Sequence, residues 1–501
     1  MLNHKKMLNP FPENEKNIYG RIINCEKVDT ELEEFNVEIT LTNDEMIKFD
    51  NDIYGDEGLL SSINDYSIEP IKNLKDRIHE LDIEYDIGVN KILNSKEDVN
   101  KIYDLFTPYF YEFYATIKDI GLAKKLQQYS DQGTYLQLVL LPPKDCEQYN
   151  EKDFIKGSLL FSASPIVVKN RTIFINEETK GIRNKFKGKY KSNKAICNTQ
   201  FHEINKHDKD AVKKFNDALS NCLPKKINEM QYTMFHIGQG LCSYISFNRN
   251  SGMFFDIGFS EKGRNDNSIK FDNYGNFVRY KYRKPKAIIL SHWDVDHILG
   301  IVYADKDVFN KVWIAPSFED LNDSGISNSA LRLCKYISLK EGVNNHGISR
   351  SDSKYERSLF IINKSFNDDI VFKDKSDKFM IHKGKGTATN GHSNKANNIG
   401  LLIELKNTKN IILTGDIDYK KMPSSISTKK VDYFQVPHHG AACGDPILVP
   451  QNINNSKAFL PVSEKHNRHN HPRYNEHLDI LKKRGFKVCR TDKDGDCTCK
   501  L

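Results

Sequence analysis

The pattern of hydrophobic and polar positions divides the first part of the chain into three stretches. Residues 17–46 alternate apolar and polar side chains, and this two-residue period predicts β-strands. Between residues 68 and 128 the apolar spacing moves toward the helical period, and the aromatic residues at 110–114 are expected to lie on a helix. Strand-like runs return at residues 134–141, 158–162 and 172–175. These elements predict a mixed α+β domain of unknown fold.

From about residue 228 onward, short apolar runs end in side chains that can carry chemistry. These groups are His292, Asp294, Asp296 and His297 after residues 287–290, Asp416 after residues 410–413, and His438 and His439 after residues 431–436. Each group follows a strand-like run, so we expect the side chains to converge from strand ends. Imidazole and carboxylate ligands at this density predict a site for two divalent metal ions.

A dinuclear site with open coordination positions would lower the pKa of a bound water and make a hydroxide nucleophile at neutral pH. The alternative is a polar loop that contains two histidines by chance. Two further strand-like runs, from Met234 to Gly240 and from Gly252 to Gly258, carry glycines that would let the backbone pass close to a crowded centre.

Six segments in this order resemble the metallo-β-lactamase fold and, within it, the nuclease-like domain of the bacterial DNA-uptake protein ComEC. They are His236-Ile-Gly-Gln-Gly240, Ser291-His-Trp-Asp-Val-Asp-His297, Leu413-Thr-Gly-Asp416, Pro437-His-His-Gly440, Asn467-Arg-His-Asn-His471-Pro472 and Arg490-Thr-Asp-Lys-Asp-Gly495. The resemblance covers residues 228–501, and nothing in residues 1–227 matches that family. It implies an α/β fold class, with a C-terminal αββα sandwich that follows the mixed α+β domain.

The resemblance also implies a role for each site residue. His292 and Asp294 would bind one metal, Asp296 and His297 the second, Asp416 would bridge both, and His439 would complete the second site. Asp256 would orient the ligand loop from behind. The catalytic group would combine Asp296 with His438 and His471, and Asn467 would contact the substrate. Imidazoles beside two metals can contact a phosphoryl oxygen or protonate a leaving alkoxide. For His471, a helix-start position before Pro472 is the alternative.

Two departures from the family pattern bear on the metal. Asp294 stands where a dizinc hydrolase has a second imidazole, and Asn397 and Asn398 stand where a further histidine usually lies. Harder oxygen ligands favour Mn²⁺, with Zn²⁺ and Mg²⁺ as alternatives. His382 and His392 are near in sequence, although histidines of this kind more often belong to surface loops.

Charge is unevenly distributed along the chain. Residues 1–150 hold 16 Lys and Arg against 29 Asp and Glu, while the remaining 351 residues bring the total to a net charge of +7. A basic catalytic half suits a polyanionic substrate such as DNA, because neutralised phosphates release counterions. The acidic leading half would either bind another protein through residues 1–227 or dock on the basic half. Two independently solvated surfaces are the alternative.

A basic segment at residues 179–194 contains no acid. Four of its lysines alternate with Phe186, Gly188 and Tyr190, so an extended chain would present a cationic face backed by aromatics. These lysines are Lys185, Lys187, Lys189 and Lys191. They are candidates for contact with a nucleic-acid backbone, and a solvated lysine loop is the alternative.

Cysteine usage and hydropathy bear on location. The ten cysteines lack the spacing of a disulfide scaffold, so reduced thiols are expected, with Cys497 and Cys499 as two thiols on a last strand. No stretch approaches the roughly 18 apolar residues of a membrane span, and residues 1–6 lack a signal-peptide apolar region. We therefore expect a cytoplasmic protein that does not contact a membrane.

The sequence predicts two domains, at residues 1–227 and 228–501, with an insertion at about 315–396 whose loops frame the site. The favoured hypothesis is a metal-dependent phosphodiester hydrolase, a nuclease whose substrate is DNA, with RNA as the less favoured alternative. Soluble proteins of this type resemble effectors of bacterial defence operons. The alternatives are a small-molecule phosphodiesterase or other hydrolase, and a regulatory protein with a degenerate metal site.

Overall fold

A computed structural model describes most of the second half of the chain and separate stretches of the first. The described residues are 18–27, 34–43, 111–132, 135–141, 154–161, 166–178, 202–238, 240–248, 251–259, 283, 285–304, 306–317, 327, 329–330, 332–334, 336–337, 358–386, 397–441, 443–453, 455–462 and 473–501. They form a mixed α/β structure with several sheets. Among them, no helix has the length and apolarity needed to cross a bilayer.

The chain divides into two compact units, neither of which is continuous in sequence. Unit 1 comprises residues Met1–Cys25, Val37–Phe201 and Ser327–Lys354, and unit 2 comprises Glu26–Asn36, His202–Ile326 and Tyr355–Leu501. Residues 202–227 therefore pack with the second unit. The predicted domain limits, 1–227 and 228–501, stay a prediction.

The described residues of unit 1 form a closed β-barrel and a helix. Its elements are β1 (Ile18–Lys27), β2 (Phe35–Asn43), β3 (Tyr111–Ile117), α1 (Ile120–Gln132), β4 (Tyr135–Leu141), β5 (Phe154–Phe161) and β6 (Ile166–Glu178). The strand order around the barrel is β1-β2-β3-β5-β6-β4, and β4 closes it by pairing antiparallel with β1. Closure leaves no exposed strand edge in this sheet.

The expected helix at residues 110–114 is wrong, because β3 occupies most of that stretch. Tyr111 to Ala115 pair antiparallel with β5, and aromatic residues fit a pleated, half-buried surface well. The helix of this region begins later, at Ile120, where the Asp119 carboxylate accepts the Leu122 amide at 2.9 Å. A dense run of aromatics does not separate the two states by spacing alone.

Unit 1 also includes a segment from the middle of the chain. The Ser329 hydroxyl donates to Glu112 Oε1 on β3 at 2.7 Å, and the Thr40 hydroxyl on β2 donates to the same oxygen at 3.3 Å. Leu333 and Tyr336 of this segment are fully buried. Burial, helped by the neighbouring Glu38, raises the pKa of Glu112 to about 8, so this carboxyl keeps its proton at neutral pH.

Unit 2 contains two large sheets. The first half of its elements runs β7 (His202–Ile204), α2 (Lys209–Cys222), β8 (Met230–Met234), β9 (Cys242–Phe247), β10 (Ser251–Ile257), β11 (Pro285–Ile289), α3 (Val295–Ile298), β12 (Val312–Pro316) and β13 (Ser358–Ile362). The second half runs β14 (Ile370–Lys373), β15 (Phe379–Lys383), β16 (Leu401–Lys406), β17 (Asn410–Leu413), α4 (Ser424–Ser427), β18 (Lys430–Val431), β19 (Tyr433–Gln435), β20 (Val449–Pro450), β21 (Lys457–Leu460), α5 (Arg473–Lys483), β22 (Lys487–Arg490), α6 (Thr491–Asp494) and β23 (Cys497–Lys500).

The two sheets share one hydrophobic core. The first has eight strands in the order β23-β8-β9-β10-β11-β12-β13-β7, and the second has seven in the order β14-β15-β16-β17-β19-β21-β22. Met253 and Ile289 from the first sheet and Ile403 and Ile411 from the second belong to a single buried cluster. Alternate residues of the second sheet, such as Ile412, belong instead to a second buried cluster that includes Leu481 of α5.

Much of the predicted insertion is part of these sheets. Residues 315–396, expected to be loops framing the site, contain β13, β14 and β15. The apolar runs at Leu359–Ile362 and Phe379–Ile381 are buried, which explains why they form strands despite the Gly, Ser and Asn content around them.

The last strand links the edges of the two sheets. β23 pairs antiparallel with β8, and a disulfide joins Cys497 on β23 to Cys489 on β22 across a separation of 8 residues. The expectation of reduced thiols is therefore wrong for this pair, whereas Cys499 is a free, buried thiol. Closing a loop of this length would restrict the unfolded chain by about 2.5 kcal/mol.

A buried carboxylate organises the outer face of the second sheet. Glu404 on β16 receives Lys429 Nζ at 2.5 Å, Lys406 Nζ at 2.9 Å and His382 Nε2 at 3.0 Å. Burial opposes ionisation, but the bond to His382 and the two ammonium groups outweigh it and lower the pKa of Glu404 to about 2. His382 is thus held by Glu404 and is not a metal ligand in this arrangement.

We expect Glu404→Gln to destabilise unit 2 at pH 7 and to remove part of its acid sensitivity. A carboxyl whose folded pKa is about 2 and whose unfolded pKa is near 4.5 contributes stability above pH 4.5, and loses it as the pH falls through 2. The expected loss at pH 7 is on the order of 3 kcal/mol, shrinking toward zero near pH 2. Urea unfolding followed by tryptophan fluorescence reports this unit, since both tryptophans, Trp293 and Trp313, belong to it. The exposed Glu229→Gln is the matched control, and an equal loss at pH 7 and pH 2 would contradict the prediction.

Candidate metal centre

Parallel strands bring the predicted ligands to common sheet edges. In the first sheet β10 runs parallel to β11, so the segments after Ile257 and Ile289 leave from the same edge. In the second sheet β17, β19 and β21 are parallel, so the loops that follow them also leave together. The candidate ligands lie on these loops, as the sequence predicts.

Asp256 fastens the loop after β11. Its Oδ1 accepts the Ser291 amide at 2.6 Å, and its Oδ2 accepts the Ser291 hydroxyl at 2.7 Å and His297 Nδ1 at 2.9 Å. Asp256 is fully buried and has a left-handed φ of 56°. A buried carboxylate can only accept hydrogen bonds, so all three partners are donors. Asp256 thus contacts the loop that carries the candidate ligands, and its orienting role stays a prediction.

The same bonds fix the protonation of two histidines. His297 donates through Nδ1 to Asp256, so the Nε2 lone pair of its neutral form is left for another partner. Because the Ser291 hydroxyl donates its hydrogen to Asp256, its oxygen can only accept from His292, and His292 Nδ1 donates to it at 2.9 Å. Both imidazoles therefore present an unprotonated Nε2 to the centre when neutral, which is the form that binds a metal.

His439 follows the same rule from the second sheet. Its Nδ1 donates to the Pro461 carbonyl at 2.8 Å, and its Nε2 lies 3.0 Å from Asp296 Oδ2. His438 and His439 have left-handed φ values of 49° and 52°, followed by Gly440 at 79°. Such conformations are costly for non-glycine residues and persist only where the surroundings hold them.

Carboxylates face these nitrogens at short range. Asp416 Oδ1 lies 3.3 Å from His297 Nε2, and its Oδ2 lies 3.8 Å from His292 Nε2. Asp294 Oδ2 lies 3.1 Å from His292 Nε2. Asp294 is the residue before α3 but makes no capping bond there, so its side chain is directed to the centre instead.

Two groups of three side chains have the geometry to hold an ion. One is His292, His297 and Asp416, the other is Asp296, His297 and His439, and within each group the ligand atoms lie within 4.8 Å of one another. His297 belongs to both groups, whereas the family pattern assigns it to the second metal alone.

The donor set fits divalent metal ions. Among the described residues, the Nε2 atoms of His292 and His297 are buried and form no hydrogen bond, although carboxylate oxygens surround them. Leaving a buried polar atom unsatisfied costs free energy, which a coordinated cation would recover. Nitrogen and carboxylate oxygen donors of this kind suit Mn²⁺ or Zn²⁺.

The electrostatics of the centre are tightly coupled. Burial opposes the charge on His297, yet the carboxylates of Asp416, Asp296 and Asp256 hold the pKa of His297 well above its usual range. Reciprocally, His297 with His439 lowers the pKa of Asp296, and His297 with His438 lowers that of Asp416. A metal ion must displace the His297 proton, so binding should weaken as the pH falls.

Glycines allow neighbouring backbone segments to pass close to Asp296, as the sequence predicts. A Cβ on Gly258 would overlap the Asp296 carbonyl oxygen, and Gly240, with a φ of 157°, passes beside the same atom. The Leu241 amide donates to this oxygen at 3.2 Å. The turn that carries Asp296 and His297 is thus enclosed by backbone as well as by side chains.

The remaining predicted residues have different placements. His438 Nε2 lies 3.8 Å from Asp416 Oδ2, at the side of the centre. Asn398 is buried, its amide donates to the Asp418 carboxylate, and its carbonyl accepts the Asp418 amide, so it braces the residue two positions after Asp416. The predicted substrate groups Asn467, His471, Lys185, Lys187, Lys189 and Lys191 lie outside the described residues, and their roles stay predictions.

Several residues of the centre were not singled out from the sequence. Ser291 links Asp256 to both histidines, and its place directly before His292 was the only available signal. Pro461 holds His439 through its backbone carbonyl, and a pattern of side chains cannot predict such a contact. Trp293, inside the motif, donates through Nε1 to the Pro316 carbonyl at 2.9 Å and so anchors the ligand loop to β12.

Comparison with solved structures finds matches over about half the chain. Zn²⁺-bound PqqB from Methylobacterium extorquens has 10% sequence identity and a TM-score of 0.30, and covers 54% of this chain and 100% of its own. Igni18, a metallo hydrolase from the archaeon Ignicoccus hospitalis KIN4/I, has 11% identity and a TM-score of 0.28, and covers 54% of this chain and 99% of its own. No family model and no curated protein matches the chain. We therefore base the functional proposal on the residues of the centre itself.

We expect Asp416→Asn to weaken metal binding, most of all in the group that Asp416 forms with His292 and His297. Asp416 faces His292, His297 and His438 with its two oxygens, and the substitution would remove one carboxylate from the groups available to hold a cation. Calorimetric titration of chelator-treated protein with Mn²⁺ should give two ions for the wild type, and affinities lower by about 10- to 100-fold or more in the variant. Two ions bound with unchanged affinity would remove Asp416 from the ligand set.

Proposed function

We propose that the protein is a metal-dependent phosphodiester hydrolase that cuts nucleic acid, with DNA as the favoured substrate. The observation that carries this proposal is the common arrangement of His292, His297 and His439. Each donates through Nδ1 to a fixed acceptor and turns Nε2 toward carboxylates of the centre. Three imidazoles fastened in this way are arranged for metal binding before any ion arrives.

A pair of divalent ions held by the two ligand groups would supply Lewis acidity and lower the pKa of a water molecule at neutral pH. The chain's own residues would balance the charge of the ions and orient the histidines that hold them. Asp294, Asp296 and Asp416 balance the positive charge, while Asp256 and Ser291 keep His292 and His297 in the required orientation. Water is excluded from behind by the fully buried side chains of Asp256, Ser291 and His297.

His438 is the proposed group for proton transfer. Its side chain is 18% exposed, against 2% for His439, so it reaches the solvent side of the centre while remaining beside Asp416. An imidazole at that place can contact a phosphoryl oxygen and protonate the leaving alkoxide, worth about 10²- to 10⁴-fold in rate. His471 and Asn467 are proposed to contact the substrate from the loop that precedes α5.

Charge supports a polyanionic substrate. Residues 151–501 carry the positive excess of the chain, and a basic protein surface concentrates nucleic acid and raises its association rate. The lysines at 185, 187, 189 and 191 are proposed to add backbone contacts. Residues 1–227 are proposed to bind a protein partner. The ComEC-type branch, the complete αββα arrangement, the cytoplasmic location and an effector role in bacterial defence belong to the same proposal.

A nuclease assay with a metal-site variant tests the activity. Purified protein with Mn²⁺ should cut plasmid, single-stranded DNA or RNA, and Asp296→Ala should lower the rate at least about 10³-fold, because it removes a ligand beside His439. The exposed Asp479→Ala on α5 is the matched control and should retain full activity. Circular dichroism should be the same for all three proteins.

The assay also separates the alternatives. Hydrolysis of a small diester such as bis-p-nitrophenyl phosphate without any cutting of nucleic acid would favour the small-molecule hydrolase. Metal binding without hydrolysis of either substrate would favour a regulatory protein. Equal activity in wild type and Asp296→Ala under metal-limited conditions would contradict the assignment of the centre.

Metal preference follows from the ligand count. Three carboxylates, of Asp294, Asp296 and Asp416, accompany the three anchored imidazoles, and carboxylate-rich sites suit Mn²⁺ or Mg²⁺ better than a compact zinc tetrahedron. We expect Mn²⁺ to support the highest rate and Asp294→His to shift the preference toward Zn²⁺. Metal titration of chelator-stripped wild type and variant on one DNA substrate decides the matter, and a wild type that is fastest with Zn²⁺ would refute the prediction.

A further inference from the structure

A buried histidine on α5 lies behind the metal centre without being one of its ligand candidates. His477 Nδ1 lies 3.3 Å from the Ala441 carbonyl, and its Nε2 lies 2.9 Å from the Tyr419 hydroxyl. A carbonyl only accepts, so Nδ1 carries the proton and donates to Ala441. Nε2 of the neutral ring is then an acceptor, and the Tyr419 hydroxyl donates to it.

The two partners of His477 belong to the two ligand loops of the second sheet. Tyr419 lies three residues after Asp416, and Ala441 lies two residues after His439. The loops are also joined through backbone bonds, from the His438 amide to Gly415 at 3.3 Å and from the Tyr419 amide to the Cys443 carbonyl at 3.1 Å. His477 is a side-chain link between the loops, carried by a third element.

The loop that His477 holds is conformationally costly. His438, His439 and Gly440 are consecutive residues with positive φ, and the Ala441 amide closes this turn onto the His438 carbonyl at 2.8 Å. Left-handed φ values are unfavourable for residues that have a Cβ, so the turn needs external bonds to persist. The bond from His477 to Ala441 lies at the point where the turn ends.

Both linking side chains are shielded from substrate. Tyr419 is fully buried and His477 is 6% exposed, and both belong to or contact the hydrophobic cluster under α5. Burial raises the pKa of Tyr419 well above its usual range, so the hydroxyl remains a donor at all physiological pH values. Their effect on the centre must therefore act through the loops.

We propose that His477, with Tyr419 as its donor, is a positioning residue that holds His438 and His439 in their left-handed turn and so sets their distance from Asp416 and Asp296. The proposal rests on the proposed metal-dependent function. It predicts that loss of the link weakens metal binding by the group that contains His439, with Asp296 and His297, more than binding by the other group. That other group, His292, His297 and Asp416, contains no residue of the His438–Gly440 turn.

The test uses the full-length protein with Co²⁺ and Mn²⁺ as probes. His477→Phe removes both bonds together with the 3.9 Å contact between Nδ1 and Cys443 Sγ, Tyr419→Phe removes one bond, and His477→Gln is designed to keep both, since its amide can donate to Ala441 and accept from Tyr419. Tyr433→Phe is the matched control, because it removes a tyrosine hydroxyl that accepts from Lys409 at the opposite end of β19. Each protein is titrated with metal by calorimetry, and the visible spectrum of bound Co²⁺ reports the ligand geometry.

We expect His477→Phe to weaken one of the two ions by about 10- to 100-fold, with a changed Co²⁺ spectrum and a nearly unchanged second ion. Tyr419→Phe should act in the same direction but less, while His477→Gln and Tyr433→Phe should resemble the wild type. In nuclease assays the change should appear in kcat more than in KM.

Three outcomes would overturn the inference. Unchanged affinities and spectrum in both His477→Phe and Tyr419→Phe would show that the link does not position the ligands. Equal weakening of both ions together with a lower melting temperature of the metal-free protein, without rescue by His477→Gln, would show general destabilisation. A wild type that binds no divalent ion would refute the proposed function as well, whereas two bound ions without nuclease activity would leave the positioning role tested on its own.

Discussion

The centre depends on one constraint, which is that each of its three anchored imidazoles donates a hydrogen bond through Nδ1 to a fixed acceptor. Asp256 accepts this hydrogen bond from His297, the Ser291 oxygen accepts it from His292, and the Pro461 carbonyl accepts it from His439. Only Nε2 then remains for the interior of the site, and three carboxylates face it. Tautomer, ring orientation and ligand atom are thus settled together by the surrounding protein. An imidazole without such an acceptor would be free to rotate and to bind through either nitrogen.

The accuracy of these bonds comes from the sheets beneath them. Phe255 pairs with Ile289 across the parallel strands β10 and β11, which places Asp256 beside Ser291 with no intervening loop. Phe434 pairs in the same way with Ala458 across β19 and β21, which brings Pro461 to His439. Since both sheets share one buried core, a shift of either strand would disturb close packing as well as the hydrogen bonds. The hydrophobic core therefore contributes to metal binding by keeping the strands in register.

The sequence predicted which candidate ligands lie together better than it predicted the rest of the fold, and the reason lies in how each signal is encoded. His292, Asp296, His297, Asp416 and His439 follow apolar runs, and ends of parallel strands meet at a sheet edge, so local pattern carried the long-range information. The strand at Tyr111–Ile117 was mistaken for a helix because its aromatic residues satisfy both periods. Asn398 was assigned to the centre by alignment of motifs, whereas its bonds to Asp418 depend on loop geometry. The contacts of Ser291, Pro461 and His477 join segments far apart in sequence, and no single-chain pattern specifies such pairs.

The division of the chain between the two units has a consequence for the order in which they can form. Ser329 supplies a hydrogen bond to Glu112 inside unit 1, and Leu333 and Tyr336 of the same segment are fully buried there. During synthesis from the N-terminus, β1 to β6 emerge long before this segment does, so unit 1 lacks these buried residues while β8 to β12 of the other unit are made. Unit 2 is also incomplete at that stage, because β13 and the whole second sheet follow the segment in the sequence. Unit 1 therefore cannot be completed until residues 327–354 have been synthesised, and a chain cut once between residues 227 and 228 would separate the barrel strands from that segment.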